Sequence, residues 1–424
     1  MTVSQGAALS IGAVLGTGVI ALPALAAQTA GPASLIAWGA LVVLSVPLAA
    51  TFAALGARYP DSGGVATYVR NAFGRRAAAV VGWSFYFAVP VGAPAAALFG
   101  GAYVSAALGG GTRTTLLTAG ALMLAVTGGN LGGVRVSGRL QLGLAGLLIA
   151  LLLTATITAL PHAHTANLHP FAPHGWWAIG PAAAVLVWGF AGWEAVTSLA
   201  ADFRRPKQDL PRATGIALVV VAVLYLGIAA ASVLVIGPAM PGTDAPLAEL
   251  LAIGVGGQVR TIAAGAALLL TLGTMNAYYA GAAKLGAALG RDGALPAWFG
   301  RGAAPGSVPR RSLVVVALLG AASLAVVAAT GTGTRALVLL TSGCFVLVYL
   351  MGSAAAIKLL PRRTLARWCA ILAFASSVGL MVVTGWYVLG TLVIAAGALL
   401  YTRRARGPEK SPEISGRAVD SVAA

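Results

Sequence analysis

The sequence predicts an all-α polytopic membrane protein with twelve transmembrane helices. Three observations carry that reading. Of the 424 residues 59% are hydrophobic and only 9% charged, with a mean hydropathy of +0.90. A soluble domain carries about 25% charged residues, so this chain lacks the charge to coat a water-facing surface. The apolar residues also fall into long runs, as a bilayer requires. Finally, the charge is lopsided in placement as well as in sign.

Breaking the chain at charges, Gly/Pro turns and polar clusters yields twelve apolar segments. They run roughly over 6–29, 33–57, 76–108, 114–131, 138–160, 180–201, 212–237, 258–287, 311–330, 335–358, 366–383 and 386–402. Segment 3 exceeds one straight crossing, so it must tilt or extend beyond the lipid. Segments 11 and 12 are divided only by the Thr384-Gly385 hairpin. A polar tail, 403–424, follows the single transmembrane domain.

Net charge is +17. In a soluble protein that would suggest a nucleic-acid partner; here it fits basic residues collected in cytoplasmic loops. With the N-terminus placed inside, only Arg113, Arg260 and Arg335 of the 27 Lys and Arg residues fall outside. An odd error in the helix count would scramble that asymmetry. Both termini are therefore expected in the cytoplasm of a cell-membrane protein. Ala24–Ala27 resembles a signal-peptidase site, but the first charge in the chain is Arg58. Without a basic n-region the segment is expected to stay as a helix. Cys344 and Cys369 lie in apolar runs and give neither a disulfide framework nor a metal spacing.

Two segments carry interruptions. Segment 1 contains Gly12 and then Gly16-Thr17-Gly18-Val19-Ile20, followed by Pro23. Gly12 and Gly16 fit a small-xxx-small packing face. On the glycines alone packing is favoured; the other reading is a broken helix, whose freed amides can hold a carboxylate. Segment 6 contains Trp188-Gly-Phe190-Ala191-Gly192-Trp193-Glu194, and Glu194 is the only acid deep in any apolar segment. An intramembrane carboxylate is costly, and function is the default reading. The interruptions open each successive group of five segments, the arrangement that points to a transporter binding site.

At these residues the chain resembles the amino acid–polyamine–organocation (APC) superfamily. The likeness lies in the Gly16–Ile20 break and in Phe190–Ala195, with the loop Asp202-Phe-Arg-Arg-Pro206 to Leu210-Pro211-Arg212-Ala. Lys284 with Arg291-Asp292-Gly293-Ala-Leu295-Pro296 completes it. The resemblance covers roughly 6–402 and is nearest the small bacterial branch that exports methionine and branched-chain amino acids. It implies a five-plus-five inverted repeat (about 6–160 and 180–358) plus two extra helices (about 366–402), with helices 1 and 6 broken. Some members of the family carry a lysine in the middle of helix 5; here Leu140–Ile149 carries no charge.

An amino-acid zwitterion presents a carboxylate and an ammonium about 3 Å apart, and a midplane site must satisfy both. Gly16, Thr17 and Gly18 suit the carboxylate, because glycine admits close backbone approach; Ile20 closes that stretch. Carbonyls around Phe190, Ala191 and Gly192 suit the ammonium. Phe190 and Trp193 are candidates to wall or gate the side-chain pocket, or are ordinary packing. Val89 and Ala93 fall on the expected lining face of segment 3. Asn276, Tyr278 and Tyr279 are polar candidates from segment 8, although a tyrosine there also suits interfacial anchoring.

Glu194 is the candidate proton-coupling group. Asp202, Arg205 and Arg212 are candidates for a cytoplasmic gate, or are positive-inside anchors. The spans offer neither paired acids for a cationic substrate nor a buried base for an anionic one, so a neutral aliphatic or thioether side chain is expected. Discrimination among such side chains is worth only a few kcal/mol, so several substrates should share the site. Direction is not legible: an exporter or proton-coupled antiporter and a proton-coupled importer share these motifs. A membrane-embedded enzyme would need paired catalytic groups that one glutamate does not supply. His162, His164, His169 and His174 share one external loop without a carboxylate or cysteine, and no metal or cofactor is expected. The expected partners are a small amino acid, the bilayer and protons, with the protein a monomer or homodimer and no nucleic acid bound.

Overall fold

Thr2 starts the first helix, α1 (Val3–Val14): its hydroxyl accepts from the Gln5 amide and its own amide donates to the Gln5 side chain, a reciprocal cap. The helix does not continue through the glycines. The Leu15 amide closes on Ile11, Gly16 is extended, and a single 3-10 turn covers Thr17–Ile20. Pro23 then sits in the first turn of α2 (Leu22–Ala30), where its missing N–H costs nothing. Segment 1 is thus a broken helix.

The computed structural model describes residues 2–59, 64–133, 138–194, 200, 203, 205–301 and 308–404. Among them no strand occurs. Ten helical stretches are long and apolar enough to cross a bilayer, one of which, Leu22–Arg58, runs through α2 and its successor. In order they are completed by α3 (Ser34–Arg58), α5 (Arg75–Leu108), α6 (Thr112–Leu131), α7 (Gly138–Ala159) and α9 (Pro206–Ala231). Then follow α11 (Val259–Arg291), α12 (Arg310–Thr330), α13 (Thr334–Leu359), α14 (Leu365–Val383) and α15 (Val388–Arg404). The sixth segment begins with a shorter helix, α8 (Ile179–Phe190). Residues 195–199 of this segment lie outside the described residues.

Two helices occupy stretches that the sequence reading left as connections, α4 (Gly64–Phe73) and α10 (Pro246–Val255). Each is only ten residues long, too short to span.

Position in the bundle follows burial. Of the most apolar window in each helix, 83% is buried in α5 and 78% in α13, against 17% in α14 and 11% in α15. The first pair forms the centre; the last two helices present Leu372, Val382 and Val393 outward, as lipid demands. The Trp83 indole of α5 donates to the Ala294 carbonyl at 2.7 Å, and the Tyr86 hydroxyl to the Ser312 carbonyl at 3.1 Å. These bonds fasten α5 to the Arg291–Pro296 connection and to α12.

Candidate functional site

The second break begins where α8 stops. Ala191 is extended, and Gly192 takes φ +130°, a conformation that favours glycine. A Cβ on Gly192 would also lie 2.6 Å from the Ala13 carbonyl oxygen and 3.0 Å from Val14 Cα. The second break therefore rests directly on the last turn of α1, which precedes the first.

Two tyrosines hold this junction. The Tyr225 hydroxyl, from α9, lies 3.0 Å from the Val14 carbonyl and 2.6 Å from the Gly189 carbonyl. Both acceptors belong to the final turns of half-helices, whose carbonyls lack partners within the helix. The Tyr349 hydroxyl, from α13, donates to Glu194 Oε2 at 2.8 Å, and the Gly192 amide donates to the same oxygen at 3.0 Å. Glu194 is thereby tied to both its own break and α13.

Beside the junction lies a cavity of about 50 Å³, room for a few waters in this state. Gly16, Thr17 and Gly18 border it from the first break, and Trp188, Gly189 and Ala191 from the second. Val89, Gly92 and Ala93 of α5 form a third side, with Met275 and Tyr278 of α11 and Thr341 and Phe345 of α13 opposite. None of its described lining residues is charged. A second cavity, about 220 Å³, adjoins it through Gly16, Thr274 and Tyr278, and includes Gly192 and Glu194. A third, about 670 Å³, opens at the other end of the bundle, between Ala21, Phe99, Asp244 and Arg335.

The sequence candidates divide among these places. Gly16, Thr17, Gly18, Val89, Ala93, Ala191 and Tyr278 border the cavity of about 50 Å³. Gly192 and Glu194 border the second. Phe190 does not border the cavity of about 50 Å³; its ring lies 5.0 Å from Tyr225 and 5.9 Å from Trp38. Trp193 is buried and Ile20 gives its carbonyl to the Tyr103 hydroxyl at 2.7 Å. Asn276 accepts from Asn130 of α6 at 2.7 Å, and Tyr279 is buried on the side of Gly320. Arg205 pairs with Asp209 one turn further along α9, at 3.8 Å, and Arg212 is exposed. Asp202 lies outside the described residues.

Sequence reasoning missed Trp188, Tyr225, Tyr349 and the α13 threonine, Thr341. Trp188 adjoins the break that was singled out, so its position was a usable signal. The tyrosines carried none.

Comparison with known proteins agrees with the architecture. The family model described as amino acid permease matches residues 2–403. The chain is 34% identical over 406 residues to the amino acid permease YecA of Bacillus subtilis strain 168, covering 96% of each. It is 32% identical over 414 residues to the L-methionine/branched-chain amino acid exporter YjeH of Escherichia coli K12, again covering 96% of each. Against the branched-chain amino acid permease BcaP of Bacillus subtilis it is 28% identical, over 68% of this chain and 66% of that one. The chain belongs to the amino acid permease family of the APC superfamily, and is a multi-pass membrane transporter rather than an enzyme.

Proposed function

We propose that the protein is a secondary active transporter of neutral L-amino acids of the branched-chain and methionine type. It works by alternating access as an exporter or proton-coupled antiporter in the cell membrane. The observation that carries this reading is the meeting of two helix breaks at one small cavity whose described lining is uncharged.

The chemistry is complementary to a zwitterion. Thr17 and Gly18 open the 3-10 turn, where amides have no acceptor within the turn, and these suit the carboxylate. The ends of α1 and α8 present carbonyls, which suit the ammonium. The remaining walls are uncharged, with Val89, Ala93, Met275 and Phe345 beside the hydroxyls of Thr274, Tyr278 and Thr341; the apolar part favours an aliphatic or thioether side chain, and the absence of charge disfavours a charged one. The cavity must widen to admit a whole amino acid. Export is supported by the name of the Escherichia coli relative, with which this chain shares 32% identity.

Twelve crossings arise if α1 with α2, and α8 with the stretch beyond Glu194, each count as one broken crossing. With both termini cytoplasmic, the cavity of about 670 Å³ at Asp244 and Arg335 is the outer vestibule. Glu194 is the coupling group: a proton on its carboxylate changes which of the Tyr349 and Gly192 donors it keeps, and so acts directly on the second break.

Reconstitution into liposomes with a panel of labelled amino acids under an imposed pH gradient tests the reading. Leucine, isoleucine, valine and methionine are expected to move, with net flux responding to the gradient. Preference for arginine or glutamate would overturn it. Uptake in growing cells, rather than accumulation on deletion, would reverse the direction.

A further inference from the structure

The Trp188 indole bridges two glycines. At its pyrrole end, a Cβ on Gly18 would overlap Trp188 Cδ1 and come within 2.8 Å of Nε1. At its benzo end, a Cβ on Gly92 would lie 2.9 Å from Cη2 and 3.1 Å from Cζ3. Gly18 belongs to the first break and Gly92 to α5, so the ring spans the cavity wall from one element to the other. Pro90 and Pro94 flank Gly92 in α5 and remove two backbone donors there, so this part of the helix is shaped locally.

The ring also stands at a boundary. Trp188 borders the cavity of about 50 Å³, whereas Phe99 borders the vestibule of about 670 Å³. Their rings meet edge to face, centroids 6.3 Å apart at 82°. The layer between the two spaces includes these two aromatics.

Resting on the transport reading above, we propose that Gly92 is a positioning residue for occlusion. With Gly18 it forms a two-ended seat for the Trp188 indole, and the seated ring separates the cavity from the vestibule. A glycine is required because van der Waals contact with the ring begins where a Cβ would stand. A methyl group at position 92 displaces the benzo edge and shifts the population towards a state open to the vestibule. Shortening the aromatic to phenylalanine removes Cη2 and Cζ3, two of the three atoms the methyl would meet (the third is Thr341 Cγ2, at 3.1 Å), so the two substitutions should compensate each other in part.

The test is thiol labelling of Ala96→Cys, a cavity position, with Cys344 and Cys369 replaced by alanine. An impermeant reagent is applied from the vestibule side of reconstituted protein. Gly92→Ala is expected to speed labelling about tenfold, and Trp188→Phe alone to speed it as well. The double variant should label more slowly than either single one. Thermal stability should follow neither trend. Additive effects, or Gly92→Ala labelling at the parent rate, overturn the proposal. Should Gly92→Ala fail to fold, Trp188→Phe labelling at the parent rate overturns it equally. Failure of the parent protein to carry any amino acid would instead defeat the transport reading, while the labelling cycle still decides the seat.

Discussion

Gly192 has no room for a side chain because the Ala13 carbonyl occupies it: a Cβ there would sit 2.6 Å from that oxygen, on a backbone at φ +130°. The second break thus packs against the last turn of α1, just ahead of the first break, across 179 positions in numbering. Gly192→Ala must either shift α1 or distort the turn, at a cost of roughly 1–3 kcal/mol. A lower melting temperature with loss of substrate binding is expected, and thermal unfolding in detergent with a binding assay checks it. Wild-type behaviour in both would mean that the breaks do not depend on each other.

Tyr225→Phe removes the hydroxyl shared by Val14 and Gly189 while keeping the ring against Phe190 and Trp38. One net hydrogen bond is worth about 0.5–1.5 kcal/mol, so the variant should fold. Its half-saturating substrate concentration should rise more than its maximal exchange rate falls, because the carbonyl ends proposed to face the ammonium lose their common anchor. Concentration-dependent exchange separates the two parameters. An unchanged half-saturating concentration counts against Tyr225 as a support of the site.

Glu194→Gln keeps the size of the side chain and an oxygen to accept from Tyr349 and Gly192, while removing titration. Exchange between equal pools should persist, and the response of net flux to an imposed pH gradient should vanish. Tyr349→Phe, which removes one donor to the same oxygen, should weaken that response and leave exchange in place. Binding abolished in Glu194→Gln, with residual flux still driven by pH, would make Glu194 a substrate or structural ligand instead.

Topology has its own check. A cysteine at Ala166, in the loop between α7 and α8, should react with impermeant maleimide from outside intact cells. One at Ser411, in the tail, should be protected until the membrane is opened. Labelling of both from one side would overturn the twelve-crossing arrangement.

The count of twelve crossings goes beyond the ten spanning helices among the described residues, but the sequence made the long apolar helices and the first break legible for a simple reason. Apolar runs and glycines act locally, so composition and spacing carry them. The helices α4 and α10 were not legible, being ten residues each and lying between longer apolar runs. Within segment 6, helical phase locates faces only as far as Phe190. Over Ala191–Glu194 the backbone is irregular, and periodicity no longer says which face a side chain takes. Trp188 and Phe190 both lie on the regular helix, two residues and so about 200° apart around it, which is why Trp188 borders the cavity while Phe190 packs behind it on Tyr225. Tyr225 and Tyr349 reach the site through contacts 211 and 155 residues distant in sequence. Nothing in either residue's neighbourhood announces such a contact.

The account rests on the cavity at the two breaks being the substrate site, and Gly16 probes it most cleanly. No atom lies within 4 Å of a Cβ built there, and the residue borders both the cavity of about 50 Å³ and the one holding Glu194. A valine at this position fills open space without a steric clash at its first carbon, unlike Gly18→Val, which would strike Trp188. The deciding measurement is counterflow of labelled leucine and methionine in liposomes holding equal amounts of wild-type and Gly16→Val protein. The wild type should exchange both and neither arginine nor glutamate, and the variant should exchange none while inserting and melting normally. Exchange by Gly16→Val at the wild-type rate would contradict the account.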